Sequence, residues 1–232
     1  MMARIIGAAL AVIVAAACGS RGDLPPDRHE AGTSSAAAAE QSSKPVAPRP
    51  RVVVLGDSLT AGLGLAKDDA YPALLQRRLN DHGLRYEVVN AGVSGDTSAG
   101  GLSRLDWALE GDVRVLVVAL GGNDALRGLP PEELKRNLGQ IVQRAQARGI
   151  TVVLAGMEAP PNFGRAYVVQ FHQVYPALAK QYHVALVPFL LDRVAGSETL
   201  NQRDGIHPTA EGARIVADNV WAVLEPIVAH HD

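Results

Sequence analysis

Five short runs of aliphatic residues, interleaved with amphipathic helical stretches, constrain this chain more than any other feature. Residues 52–55 read Val-Val-Val-Leu and stop at Gly56, and residues 86–89, 113–120, 151–154 and 184–187 repeat the theme. The first run is apolar at every position and the third nearly so, as suits strands covered on both faces. Between them, apolar residues recur at helical spacing: Tyr71, Leu74, Leu75 and Leu79, then Leu134, Leu138, Ile141, Val142 and Ala145. Pro72 and Pro130-Pro131 stand at the starts of these stretches, Gly83 and Gly149 beyond their ends, as helix boundaries prefer. Residues 167–182 are expected to form a further helix, with Pro176 as its weak point. A last helix after Pro208 is expected to bury Val216, Val220, Val223 and Ile227. Buried-type strands alternating with helices build βαβ units. The expected fold class is therefore α/β: a three-layer α/β/α sandwich around a five-stranded parallel sheet, of flavodoxin-like kind.

The first 50 residues do not join this pattern. Arg4 precedes 13 residues at 5–17 that form an apolar stretch, the length of a secretory signal and too short for a membrane span. The stretch ends Ala15-Ala16-Ala17-Cys18, which supports two readings. Small residues at Ala15 and Ala17 fit ordinary signal-peptidase cleavage. The string also resembles a bacterial lipobox with Cys18 as the lipidated first residue of the mature protein, and Cys18 is the only cysteine in the chain. In residues 19–50, Gly, Ser, Pro and Ala supply 19 of 32 positions, leaving too little apolar surface to offset the entropy of ordering. The expected organisation is a signal peptide at 1–17, a lipidated Cys18 with a flexible tether to residue 50, and one domain over 51–232. Export to the periplasm with an outer-membrane lipid anchor follows, Gly19 after the cysteine resembling that sorting signal; a soluble periplasmic or secreted form is the alternative.

Charge narrows the function. Twenty-two Lys and Arg against 24 Asp and Glu leave a formal net charge of −2, so there is no basic excess to neutralise phosphates and no nucleic-acid partner is expected. One cysteine permits neither an intrachain disulfide nor a Cys-based zinc site. No phosphate-binding loop, dinucleotide fingerprint or His-Glu-x-x-His string occurs, so no cofactor and no metal are expected.

In open α/β sheets, ligands bind beyond the carboxyl ends of the strands. The residues following the strands are Gly56-Asp57-Ser58-Leu59, then Asn90-Ala91-Gly92-Val93-Ser94-Gly95-Asp96-Thr97, then Gly121-Gly122-Asn123-Asp124, then Asp204-Gly205-Ile206-His207-Pro208. Taken singly, each has an ordinary explanation. Ser58 would cap a helix, Gly95 would supply a positive φ, Asn123 would bond within its own loop, and His207 would lead into a helix. Those explanations leave unexplained why all of them fall at one edge of the sheet.

Together the four blocks, in this order, resemble the SGNH (GDSL) hydrolases over roughly residues 51–230. Val88-Val89-Asn90-Ala91, Leu126-Arg127-Gly128-Leu129 and Pro161-Asn162-Phe163-Gly164-Arg165 are similar to one branch, the bacterial thioesterase I/lysophospholipase L1 group, also called arylesterases. The resemblance implies a catalytic triad of Ser58, Asp204 and His207. It implies an oxyanion hole from the backbone N–H groups of Ser58 and Gly95 and the side-chain amide of Asn123. It implies substrate contacts at Gly122, Met157, Pro160 and Phe163. A serine hydroxyl needs an adjacent base, and imidazole, with a reference pKa near 6.5, suits both halves of the proton traffic. The implied partner is a short to medium acyl ester or thioester, with lysophospholipid among the targets, handled by a monomer. Carbohydrate O-deacetylation, acyl transfer, and non-catalytic ligand binding or a structural role at the cell envelope are the alternatives.

Overall fold

The computed structural model describes residues 49–230. The expected signal peptide, Cys18 and all but the last residues of the expected tether lie outside the described residues. Strands β1 (Arg51–Gly56), β2 (Glu87–Gly92), β3 (Val113–Ala119), β4 (Thr151–Ala155) and β5 (Ala185–Val187) form one sheet in the order β2-β1-β3-β4-β5. All four pairings are parallel. Val52 to Leu55 and Val115 to Val118 have no solvent exposure at all, which explains why these runs lack alternation: helices cover both sides.

Helices α2 (Tyr71–Asp81) and α8 (Ala210–Ala229) pack together, as do α6 (Pro131–Gln146) and α7 (Arg165–Tyr182). On α6 the expected stripe of Leu134, Leu138, Ile141, Val142 and Ala145 is fully buried. Pro176 does not interrupt α7. The proline is exposed, while Phe171, Val174, Tyr175 and Leu178 are buried. The carbonyl deprived of its intrahelical donor therefore faces water, and the cost of the proline is reduced. On α8 the seam is Val216, Val220, Leu224 and Val228; Val223 and Ile227 lie half-buried at its margin. The expected stripe was thus correct at its start and one position off at its end.

Strand β2 runs to Gly92, beyond the expected end at residue 89. Asn90-Ala91-Gly92 carries little apolar signal, yet the backbone stays paired with β1 until Gly56 meets Gly92. On the other side Gly56 meets Ala119 of β3. Three strands therefore finish level, and the turns that follow them leave from one line.

The ends of β1 and β2 are packed against the short helix α1 (Ser58–Ala61). A methyl group at Gly92 would lie 2.3 Å from the Ala61 nitrogen, a backbone atom. Nothing there can rotate away. Gly92→Ala is expected to destabilise the fold by about 1–3 kcal/mol, as overpacking does, read as a lowered urea midpoint. An unchanged midpoint would show that the α1–β2 contact yields to an added methyl group.

Candidate active site

The turn after β1 holds Ser58 at the first position of α1. Asp57, not Ser58, caps the helix: its Oδ1 accepts the Leu59 N–H at 3.0 Å. The ordinary capping explanation for Ser58 therefore fails, and its hydroxyl is free for other work. Behind it, Thr60 and Tyr71 share a buried hydroxyl–hydroxyl bond of 2.7 Å, and Asn90 Nδ2 donates to the Thr60 carbonyl at 2.8 Å. Both contacts pin α1 from below.

His207 arrives from a loop 149 residues away in sequence, and its Nε2 lies 2.8 Å from Ser58 Oγ. Its Nδ1 lies 2.6 Å from Asp204 Oδ2. The other Asp204 oxygen accepts the N–H groups of Ile206 at 2.9 Å and His207 at 3.0 Å. The Ile206 N–H and then the His207 ring hold the Asp204 carboxyl down at about 2. Asp204 is therefore ionised at neutral pH and can only accept. The proton must sit on Nδ1, which leaves Nε2 of the neutral ring to accept from the serine.

The loop carrying these residues is clasped at its base by an antiparallel bridge between Asn201 and Pro208. Gln202 fastens it to the serine side: Nε2 donates to the Leu63 carbonyl at 2.8 Å and to the Pro208 carbonyl at 2.9 Å. Gly64 makes room for this amide, since a Cβ there would come within 2.2 Å of Gln202 Oε1. No periodicity or motif marks Gln202 in the sequence.

Two further turns bring polar groups to the same edge. Asn123 lies in α5 (Gly122–Leu126) after β3, and its Nδ2 donates to Asp57 Oδ2 at 3.3 Å. Asp57 is buried. Burial pushes its carboxyl up to about 6, against the opposing pull of the Leu59 N–H, Asn123 and His207. Gly95, after β2, has φ +85°. Its carbonyl accepts from Arg127 at 2.8 Å, while its N–H has no hydrogen-bond partner among the described residues. Helix α3 (Ser98–Ser103) follows Gly95. Its Ser98 is buried and gives its N–H and hydroxyl to Asp124 at 2.8 and 2.5 Å. Asn137 completes this cluster. The cluster contains no histidine; it clamps the Gly95 segment to the helix that bears Asn123. Arg104 makes the tightest junction, donating to Asp96 at 2.6 Å, to the Ala91 carbonyl at 2.7 Å and to the Gly56 carbonyl at 2.8 Å.

A cavity of about 490 Å³ opens beside Ser58, His207 and Asn123. Gly122, Met157 and Pro160 line it, joined by Leu126, which the sequence marks only within a family string, and by Phe189 and Leu191, which sequence reasoning did not single out. Phe163 is not among the lining residues. Its ring covers Gly128, where a Cβ would lie 2.7 Å from it, and stands 5.3 Å from the Tyr167 ring. The apolar signal of residues 157–165 was real, but its aromatic member packs on the Gly128 turn and on Tyr167 of α7. Phe189 and Leu191 follow β5 in a stretch with no motif, so only their place at the sheet edge could have flagged them.

Residues 54–215 match the model of the GDSL-like lipase/acylhydrolase family. The chain is 47% identical over 178 residues to the esterase TesA of Pseudomonas aeruginosa, covering 76% of this chain and 89% of that protein. It is 39% identical over 180 residues to the thioesterase 1/protease 1/lysophospholipase L1 of Escherichia coli, covering 77% and 85%. A crystal structure of TesA superposes with a TM-score of 0.73 at 47% identity, over 76% of this chain and 98% of that one. On sequence, fold and family model together, this chain belongs to the GDSL-like lipase/acylhydrolase family.

Proposed function

We propose that this chain hydrolyses short to medium acyl esters and thioesters, lysophospholipids among them, with Ser58 as nucleophile. The observation that carries the reading is the unbroken relay from Ser58 Oγ to His207 at 2.8 Å and from His207 to Asp204 at 2.6 Å. Relatives named as an esterase and as a thioesterase and lysophospholipase support the substrate class.

Ser58 Oγ attacks the acyl carbon while its proton passes to Nε2 of His207. The imidazolium so formed is stabilised by Asp204, which stays ionised throughout. Negative charge gathers on the former carbonyl oxygen. The N–H groups of Ser58 and Gly95 and the Asn123 amide receive it; that amide has two hydrogens, and Asp57 engages one. Losing one such donor typically lowers kcat by about 10²–10³. His207 then protonates the leaving alcohol or thiol, and the acyl-enzyme is hydrolysed by water along the same relay. The apolar cavity walls, Met157, Leu126 and Phe189 among them, accommodate the acyl chain.

We also propose that the enzyme is exported and held at the outer membrane through a lipid on Cys18, on the strength of Arg4, the apolar stretch 5–17 and the Ala15-Ala16-Ala17-Cys18 string.

Wild-type enzyme is expected to cleave p-nitrophenyl esters and acyl thioesters over a range of chain lengths, and Ser58→Ala to lose nearly all of this. Equal rates for the two would end the assignment. A second expectation concerns Asp57. Its folded-state pKa is raised, so the buried charge costs stability as pH climbs through about 6 and costs nothing below 3.8. The shift from 3.8 to about 6 corresponds to about 3 kcal/mol at 1.36 kcal/mol per unit. Asp57→Asn should therefore gain on wild type in thermal midpoint between pH 4 and pH 8; a difference independent of pH would contradict a buried charge. For export, mass spectrometry of the mature N-terminus should find a diacylglyceryl-modified Cys18, and an unmodified cysteine in the membrane fraction would overturn the anchor.

A further inference from the structure

Among the described residues, seven large apolar side chains stand exposed. Five of them fall one to each connection that leaves the carboxyl edge of the sheet: Leu63 after β1, Val93 after β2, Leu126 after β3, Phe163 after β4 and Ile206 after β5. Their exposures run from 38% to 49%, so core packing does not account for them. Val169 lies one turn into α7, the helix that follows the β4 connection. Trp107 is the exception. It belongs to α4 (Leu105–Ala108), before β3 and next to residues 110–112, which pack on Arg51 at the amino edge. Single exposed apolar residues are ordinary on a protein surface. A ring with one contribution from every connection that leaves the same edge of the sheet is not.

Three of its members border the cavity or the cleft beside it. Leu126 and Ile206 line the cavity, and Leu63 stands in the adjoining cleft with Ser58 and His207. Arginines are spaced among the apolar tips: Arg127 next to Leu126, Arg165 two residues beyond Phe163, and Arg203 three residues before Ile206. All three are exposed, and none has an ion-pair partner among the described residues. The two carboxylates that line the cavity are engaged, Asp57 by Asn123 and Glu158 by His172, as are Asp96 by Arg104 and Asp204 by His207. Apolar tips interspersed with guanidinium groups that no carboxylate neutralises, Arg127 being held by the Gly95 carbonyl, match the boundary layer of a lipid surface, with acyl chains below and phosphates at the headgroups.

We infer that the carboxyl edge is a docking surface for an anionic lipid interface, from which single acyl lipids pass into the cavity without crossing bulk water. It rests on the esterase reading only for what enters the mouth; the docking itself needs no catalysis.

Because Cys18 is the sole cysteine, full-length Cys18→Ser protein can carry one environment-sensitive nitrobenzoxadiazole label at a chosen place. Labels go on Phe163→Cys and Val93→Cys at the ring and on Trp107→Cys at the amino edge. With phosphatidylglycerol-containing vesicles, the two ring labels should shift to the blue and brighten by about twofold or more, as on entry into the acyl boundary. The label at 107 should not respond, and phosphatidylcholine alone or high salt should weaken the ring response. Arg165→Glu should reduce it several-fold while hydrolysis of water-soluble p-nitrophenyl butyrate stays at the wild-type rate. Silence at both ring positions, or an equal response at 107, overturns the docking surface. Loss of Ser58-dependent cleavage of the soluble ester strikes the esterase reading alone, since the labels report lipid contact whether or not the enzyme turns over.

Discussion

The helix that begins with the nucleophile rests on two strand ends that have no side chains to hold it off. Gly56 and Gly92 face each other across the β1–β2 pairing, and a methyl on either would collide with Thr60 or with the backbone of Ala61. This close approach sets the height of Ser58 above the sheet, and the rest of the site is gauged to that height. Arg104 draws the Gly56 and Ala91 carbonyls and the Asp96 carboxylate onto one guanidinium, so the turn holding Gly95 cannot drift from the serine. Gln202 does the same for the histidine loop through Leu63. These are bonds to backbone carbonyls at strand ends and turns, where the backbone would otherwise lack partners.

Two aspartates near the serine live under opposite electrostatics. Asp204 sits at a solvent-accessible loop with two backbone N–H groups and an imidazole turned toward it, and it holds its charge with ease. Asp57 is sealed beneath the serine turn, where burial outweighs the Leu59 and Asn123 hydrogen bonds. The exposed one suits the steady anion behind a base. The buried one suits a fixed support that caps α1 and orients Asn123, one carboxylate oxygen for each task.

The sheet was legible because its central strands are apolar at nearly every position, Arg114 of β3 among the exceptions, a signal that survives without knowledge of partners. The long helices were legible from their stripes. The short pieces were not: α3 is Ser-Ala-Gly-Gly-Leu-Ser, a string with poor helical propensity. It is held by the Thr97 cap and by the Ser98–Asp124 clamp across 26 residues. Edge strand β2 outran its apolar run because pairing with β1, not burial, carries its end. In the site, the serine, glycine, asparagine and histidine blocks could be read as motifs. Arg104 and Gln202 could not, because their work is done on atoms 48 and 139 residues away. Phe163 shows the converse: composition located an apolar loop correctly, but which of its members faces the cavity is decided by the glycine at 128 that it covers.

Arg51 opens β1 at the amino edge, anchored there by the carbonyls of Glu110 and Asp112 and by Glu87. Six residues of strand, about 20 Å at the usual rise, separate that point from the serine turn. Whatever precedes the domain therefore joins it at the pole remote from catalysis. A fusion partner attached ahead of the first strand would enter the domain at this pole, a full strand length from the nucleophile.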